Sequence, residues 1–258
     1  MTVIEGVGTP ESTWTPWLDQ VGWPELVPGA GAPPGRAVVL AAHPDDEVLG
    51  AGGLLHLLAR SGWRVDVVWA SDGEGSHPGS TVLVPAELAR RRRQESTLAR
   101  QELGLSGRTT WLGRPDSGLQ QHENAVTSGL DEVVAGPGAG PADLLVAPWH
   151  ADGHPDHEVC GRAALRVGAA HGLPVVEVPI WAWHWGTPQT LAPRWTHART
   201  VRLDEPTRAA KAAAVRRFVS QVQPLGPAPA DRAVLPEQVL VRFARPVEVA
   251  LVTAGRQP

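Results

Sequence analysis

From residue 36 onward, short continuous apolar runs alternate with longer stretches whose apolar residues recur every three or four positions. Runs at 38–42, 64–70, 109–112, 143–147 and 174–180 predict strands, rich in Val and Leu and without sustained alternation. Strands of that kind are buried on both faces, as in a parallel sheet covered by helices on each side. Helical patterns at 48–60, 85–103, 122–135 and 155–170 fall between them, the second opened by Pro85 and closed by Gly104. The order predicts an α/β fold, a Rossmann-like three-layer sandwich with a mainly parallel sheet, running from 36 to 258 as one domain. Residues 1–35, rich in Pro and Gly and carrying Trp14, Trp17 and Trp23, are expected to be an N-terminal extension that packs over the sheet by its tryptophans. Beyond residue 182 the pattern is less regular. It predicts a strand at 195–203, a helix at 205–219 with Lys211, Arg216 and Arg217 on its polar side, a Pro-rich loop at 223–236 and an edge strand at 239–243.

Composition narrows the function classes. With 258 residues, 42% hydrophobic and 19% charged, the chain can bury a sizeable core. A net charge of -4 and a pI near 6.2 give no basic surplus for nucleic acid. Cys160 is the only cysteine, which excludes an internal disulfide and a thiolate metal cluster. No basic and apolar leader follows Met1, and no window approaches the roughly 18 apolar residues of a membrane span. The cytoplasm is therefore the expected location. The chain has no tyrosine, which removes one type of catalytic acid.

The chemistry concentrates at two strand ends. The first strand runs into Ala42-His43-Pro44-Asp45-Asp46-Glu47, and the fourth into His150, Asp152, His154, Asp156 and His157. In doubly wound sheets, ligands bind outside the carboxyl ends of strands. His43 and Asp46 are three apart across a helix start, as are His154 and His157. Two imidazoles and a carboxylate from His43, Asp46 and His157 would suit Zn²⁺ with an open position for water, and equally Fe²⁺. Zinc would lower the pKa of bound water toward about 7. Asp45 would then be free to accept a proton as general base, and His154, paired with Asp156, to stabilise an oxyanion or protonate a leaving amine. Taken singly, Asp45, Asp46 and Glu47 also suit helix capping. No Gly-x-Gly-x-x-Gly follows the first strand, so dinucleotide binding is not supported.

Ala42-His43-Pro44-Asp45-Asp46-Glu47 and His154-Pro155-Asp156-His157 together resemble the paired motifs of the LmbE-like, or PIG-L, zinc-dependent N-deacetylases. The likeness runs from about Arg36 to Ile180 and takes in Ser71-Asp72-Gly73-Glu74, Arg92 with Glu95, and Leu112-Gly113 with Asp116-Ser117-Gly118. It implies His43, Asp46 and His157 as metal ligands and Asp45 as general base. It also implies His154 as acid or oxyanion stabiliser, with Asp156 as its orienting partner. Arg92 and Asp116 resemble positions that hold sugar hydroxyls, though Arg92 lies in a basic helix face and Asp116 suits a turn. Where some members carry a tyrosine, two residues before His154, this chain has Asp152. Oxyanion stabilisation must then come from His154, the metal or another donor; His184, within Trp181-Ala182-Trp183-His184-Trp185, is a candidate substrate contact, against a packed aromatic cluster. Asp72 and Glu74 fit a supporting role around the site, because the ligand triad is already complete.

The expected activity is removal of an N-acetyl or other N-acyl group from an amino sugar or glycoside, a small-molecule substrate. An amidase acting on a thiol conjugate or an antibiotic-type amide is the enzymatic alternative. A sugar- or metal-binding protein without turnover is the other, and the intact Asp45 argues against it.

Overall fold

The computed structural model describes residues 6–28, 33–136, 138 and 140–253. Its strands are β1 (Arg36–Ala41), β2 (Arg64–Trp69), β3 (Thr109–Trp111), β4 (Leu144–Pro148), β5 (Val175–Val178), β6 (Ala198–Arg202) and β7 (Val247–Thr253). They form one sheet in the order β3-β2-β1-β4-β5-β7-β6. β1 to β5 run parallel, and β7 is antiparallel to both β5 and β6.

The longer helices are α1 (Glu11–Gln20), α2 (Asp46–Arg60), α3 (Pro85–Glu102), α4 (Glu123–Ala135) and α5 (Pro155–His171). Two single turns follow, α6 (Ala182–Trp185) and α7 (Pro188–Leu191). Then come α8 (Glu205–Val215) and the short α9 (Val219–Val222) and α10 (Glu237–Leu240). β1 shows why the sheet is covered twice. Ala37, Val39 and Ala41 join the core under α2, α3 and α8, while Val38, Leu40 and Ala42 join the core under α4 and α5. The strand order reverses between β1 and β4, which opens a crevice at their carboxyl ends. His43 follows β1 and the 149–157 segment follows β4, so both polar motifs meet there.

A third cluster is built from indoles, with Trp14, Trp149, Trp183 and Trp195 all buried. α1 docks into it: Trp14 is fully buried and its Nε1 donates to the Trp183 carbonyl at 3.0 Å. Glu11 accepts from Arg245 through both carboxylate oxygens, at 2.6 and 2.7 Å.

Two expectations fail in the C-terminal third, and one strand was missed. The edge strand at 239–243 is instead α10 and a 3₁₀ turn, because Pro236 starts a helix and Val239 and Phe243, four apart, both turn into the core. The strand in this region is β7, which the sequence reading missed. Lys211 is not on a polar face; it is 4% exposed and paired with Glu248 at 2.6 Å. Among the described residues, no helix is long and apolar enough to cross a membrane.

Candidate metal centre

The turn after β1 sets the site. Asp45 has φ 131 and ψ -28, a conformation that costs a residue with a side chain about 1–3 kcal/mol. It is held there by hydrogen bonds. The Asp45 carbonyl accepts from the amides of Val48 and Leu49, both at 2.9 Å, and its own amide donates to Glu47 Oε2 at 3.2 Å. Its side chain makes no cap hydrogen bond, so helix capping does not explain it. The carboxylate instead meets Arg92 Nη2 at 3.0 Å. Arg92 also donates to the carbonyls of Pro44 at 2.5 Å and Gly73 at 2.8 Å, and so ties the Asp45 turn to the loop after β2. Gly73 permits this approach: its φ is 66, and a Cβ there would collide with the guanidinium.

His43, Asp46 and His157 each offer a ligand atom within 4.8 Å of the others. Asp46 Oδ1 lies 3.2 Å from His157 Nε2, and Asp46 Oδ2 lies 3.4 Å from His43 Nδ1. His157 is fully buried, and its Nε2 has no partner in hydrogen-bond geometry. Its Nδ1 lies 2.8 Å from Asp152 Oδ2. That carboxylate would keep the proton on Nδ1 when a cation displaces the one on Nε2, leaving the Nε2 lone pair for the ion. An orphaned imidazole nitrogen beside a buried carboxylate and a second imidazole fits a divalent cation, with donors suited to Zn²⁺ or Fe²⁺.

Asp152 was missed as a working residue. Its side chain is fully buried. Oδ1 accepts from the amides of Ile180 and Ala182 at 2.9 Å, and Oδ2 from Trp181 at 2.9 Å as well as from His157. The sequence showed only a departure from a tyrosine. Those three amides come from the loop after β5, which no spacing rule connects to it.

The electrostatics follow from burial and proximity. Burial pushes Asp45 up to about 7, against the pull of Arg92 and with a further push from Asp46. Asp46, despite burial, is held well below the usual carboxylate range by His157 and His43. Burial opposes a charged His157, but the Asp46 and Asp152 carboxylates outweigh it and hold the group at about 9 without a metal. Burial drives His154 down to about 2, with repulsion from His157 and His43 adding to it, so its ring is neutral. His154 Nδ1 accepts from the Asp156 amide at 3.3 Å, which places the ring proton on Nε2.

A cavity of about 350 Å³ opens over these groups. His43, Asp45, Asp46, Arg92, Asp116 and His154 line it. His157 and Asp156 lie beneath, almost fully buried. Asp116 Oδ1 is 3.1 Å from His43 Nε2, and its other oxygen accepts from the Gly75 amide at 2.9 Å. Gln221, Val234 and Leu235 close one wall from the C-terminal third, a contribution the sequence reading did not assign.

Two expected roles are corrected. Asp156 does not orient His154 through its carboxylate. Its oxygens accept from the amides of Ser117 at 2.8 Å and Leu119 at 3.1 Å, and one lies 3.3 Å from His43 Nε2. His184 is not brought to this cavity. The α6 turn carries it into the protein beneath the N-terminal segment, 3.0 Å from Arg242 Nη1, and Trp181 lines the cavity in its stead. Asp72 pairs with Arg93 at 2.7 Å, and Glu74 accepts from the Asp116 amide at 3.0 Å. His150 pairs with Glu177 at 2.8 Å, outside the cavity.

Residues 38–167 match the model of the PIG-L family, described as GlcNAc-PI de-N-acetylase, and the chain belongs to that family. Solved structures share the fold. An N,N'-diacetylchitobiose deacetylase from Pyrococcus horikoshii, complexed with its inhibitor, superposes with a TM-score of 0.64 at 20% identity, over 97% of this chain and 95% of that one. The zinc-inhibited form of a teicoplanin deacetylase gives 0.61 at 20% identity, over 86% of this chain and 100% of that one. A 4-carboxy-2-hydroxymuconate hydratase from Pseudomonas putida gives 0.58 at 18% identity, over 87% and 97%, so the fold is not tied to one reaction.

Proposed function

We propose that this chain is a divalent-metal hydrolase that removes an N-acetyl or other N-acyl group from an amino sugar or glycoside. The observation that carries the reading is the buried, unpartnered His157 Nε2 facing Asp46 and His43, with a spare carboxylate, Asp45, at the same cavity. Family membership and the deacetylases among the structural neighbours support it.

His43, Asp46 and His157 would hold the metal, with zinc expected and Fe²⁺ the alternative. A cation bound there supplies Lewis acidity to water and to the amide carbonyl. Asp45, raised to about 7 and steadied by Arg92, takes the proton from the water that attacks the amide carbon. His154, neutral and protonated on Nε2, donates to the oxygen as negative charge develops there. Asp45 returns its proton to the nitrogen as the C–N bond breaks, giving a free amine and a carboxylate. A spare carboxylate beside the ligands has no use in a pure binding protein.

The test is amine release from N-acetylglucosamine glycosides by metal-stripped protein reloaded with zinc or Fe²⁺ up to one equivalent, with His157→Ala as control. Limiting the metal matters, because a neighbour is described as zinc-inhibited. Release by wild type alone supports the reading. Asp45→Ala should bind the metal and release no amine; an active Asp45→Ala protein would remove the base assigned here. Metal binding without release from any sugar would shift the substrate to a thiol-conjugate or antibiotic-type amide.

A further inference from the structure

The chain contains a single lysine, and it is buried among three elements. Lys211, on α8, donates from Nζ to Glu248 on β7 at 2.6 Å and to the carbonyl of Leu49 on α2 at 2.9 Å. Glu248 accepts from two amides in the middle of α2, Gly53 at 2.7 Å and Leu54 at 2.8 Å. Amides inside a helix normally donate four residues back along it. Here two of them donate to a side chain, and a carbonyl one turn earlier accepts from the ammonium. Glycines make the approach possible, since a Cβ on Gly53 would lie 3.0 Å from Glu248 Oε1, and one on Gly52 would lie 3.2 Å from Lys211 Cγ.

The same turn of α2 bears on the site. The Leu49 amide donates to the Asp45 carbonyl at 2.9 Å, while the Leu49 carbonyl accepts from Lys211. The Leu49 side chain lines the cavity beside Asp45 and Asp46. Asp45 is one of only two non-glycine residues with positive φ among the described residues, and such a conformation persists only where its surroundings fix it. Arg92 fixes it from the β2 side.

We propose that Lys211 and Glu248 are a positioning pair for the reaction. The pair clamps α2 at Leu49, Gly53 and Leu54, and so holds the first turn of the helix against relaxation of the strained Asp45. Neither residue lines the cavity, and Lys211 reaches it only through the Leu49 carbonyl, so the action is through α2. The inference rests on the proposed role of Asp45 as base, but its first readout does not.

The test is the double variant Lys211→Met/Glu248→Gln, which removes both charges together and avoids a lone buried ion, a replacement that proteins often tolerate without loss of stability. Two measurements are made on folded, metal-loaded protein. The first is hydrogen exchange at the Val48 and Leu49 amides, which report the bonds to the Asp45 carbonyl independently of any substrate. Their protection should fall at least about tenfold relative to amides in α4 and α5. The second is turnover, where kcat should drop about tenfold or more with KM changed less than about twofold, as expected when a base is displaced but substrate binding is not. Glu248→Asp, which keeps both charges but shortens the reach to Gly53 and Leu54, should recover part of both, and it replaces the double variant if that protein does not fold. Unchanged protection at Val48 and Leu49 would overturn the proposal, as would unchanged kcat in a variant whose protection had fallen. If wild type releases no amine from any substrate, the deacylase reading fails, and the exchange data alone decide whether the pair fixes Asp45.

Discussion

Replacing Asp152 with asparagine tests how the candidate ligand His157 is prepared. The asparagine amide must present one oxygen and one NH₂ where the carboxylate presents two oxygens. If the NH₂ replaces Oδ1, it faces the donors Ile180 N and Ala182 N, each 2.9 Å away. If it replaces Oδ2, it faces Trp181 N and His157 Nδ1. The second arrangement is favoured, because only one backbone donor is lost and the imidazole can shift its proton to Nε2 and accept at Nδ1. An orphaned buried amide costs on the order of 1–3 kcal/mol, so the metal-free variant should be destabilised by about that much. The larger effect is on the metal. With the remaining proton on Nε2, the lone pair a cation would take is blocked, and binding must drive that proton to Nδ1. Loss of such a supporting carboxylate weakens metal affinity by about 10–100-fold, or roughly 1.4–2.8 kcal/mol. Competition against a chromophoric chelator at pH 7.5, on protein shown to be folded by circular dichroism, measures it. A variant that binds zinc within about twofold of wild type would refute the tautomer argument.

Three further outcomes are expected. Burial raises Glu47 to about 8 from an ordinary 4.5, so between those pH values the folded state keeps a proton that the unfolded state loses, and wild-type stability falls as pH rises. Glu47→Gln should remove that dependence, so urea midpoints of metal-free wild type and variant should diverge from pH 5 to pH 8 in favour of the variant; parallel midpoints would contradict it. Arg92→Gln removes the cation and cannot span Asp45, Pro44 and Gly73 together, so kcat should fall about tenfold or more with metal retained, and the acid limb of its pH profile should move upward as Asp45 loses its cation. An unmoved limb with normal kcat would argue against Arg92 as the support of the base. Trp14→Ala should destabilise by about 3–5 kcal/mol, since a fully buried indole is lost from the aromatic cluster; an unchanged melting temperature would show that α1 is dispensable to the fold.

The sequence made the parallel half legible for a physical reason. Strands such as β1 and β4 are buried on both faces and read as continuous apolar runs, and the reversal between them places ligands at their carboxyl ends. His43 and Asp46, and His154 and His157, could be singled out because each pair is three apart in sequence. What failed was long-range. Lys211 looks like a solvated helix residue until Glu248, 37 positions away, is folded against it. Asp152 gains its meaning from amides 28 to 30 residues on. His184 sits at the right sheet end, but the α6 turn points it inward. The 239–253 stretch misled because Val and Phe suit strands and helices alike at that length, and only packing against the tryptophan cluster chose between them.

β7 orders events during synthesis. β6 joins the sheet only through β7, and β7 is the last element in the described chain. A ribosome-bound chain that ended near residue 240 would already carry His43, Asp45, Asp46 and His157, with β1 to β5 able to pair. It would lack Glu248, and with it the partner of Lys211 and the acceptor for Gly53 and Leu54. The candidate ligands are thus translated before the brace on α2, the helix that follows Asp45, which arrives with β7. A chain clipped before β7 would keep every candidate ligand and lose the Lys211–Glu248 contact to α2, so length alone separates the candidate metal centre from its brace.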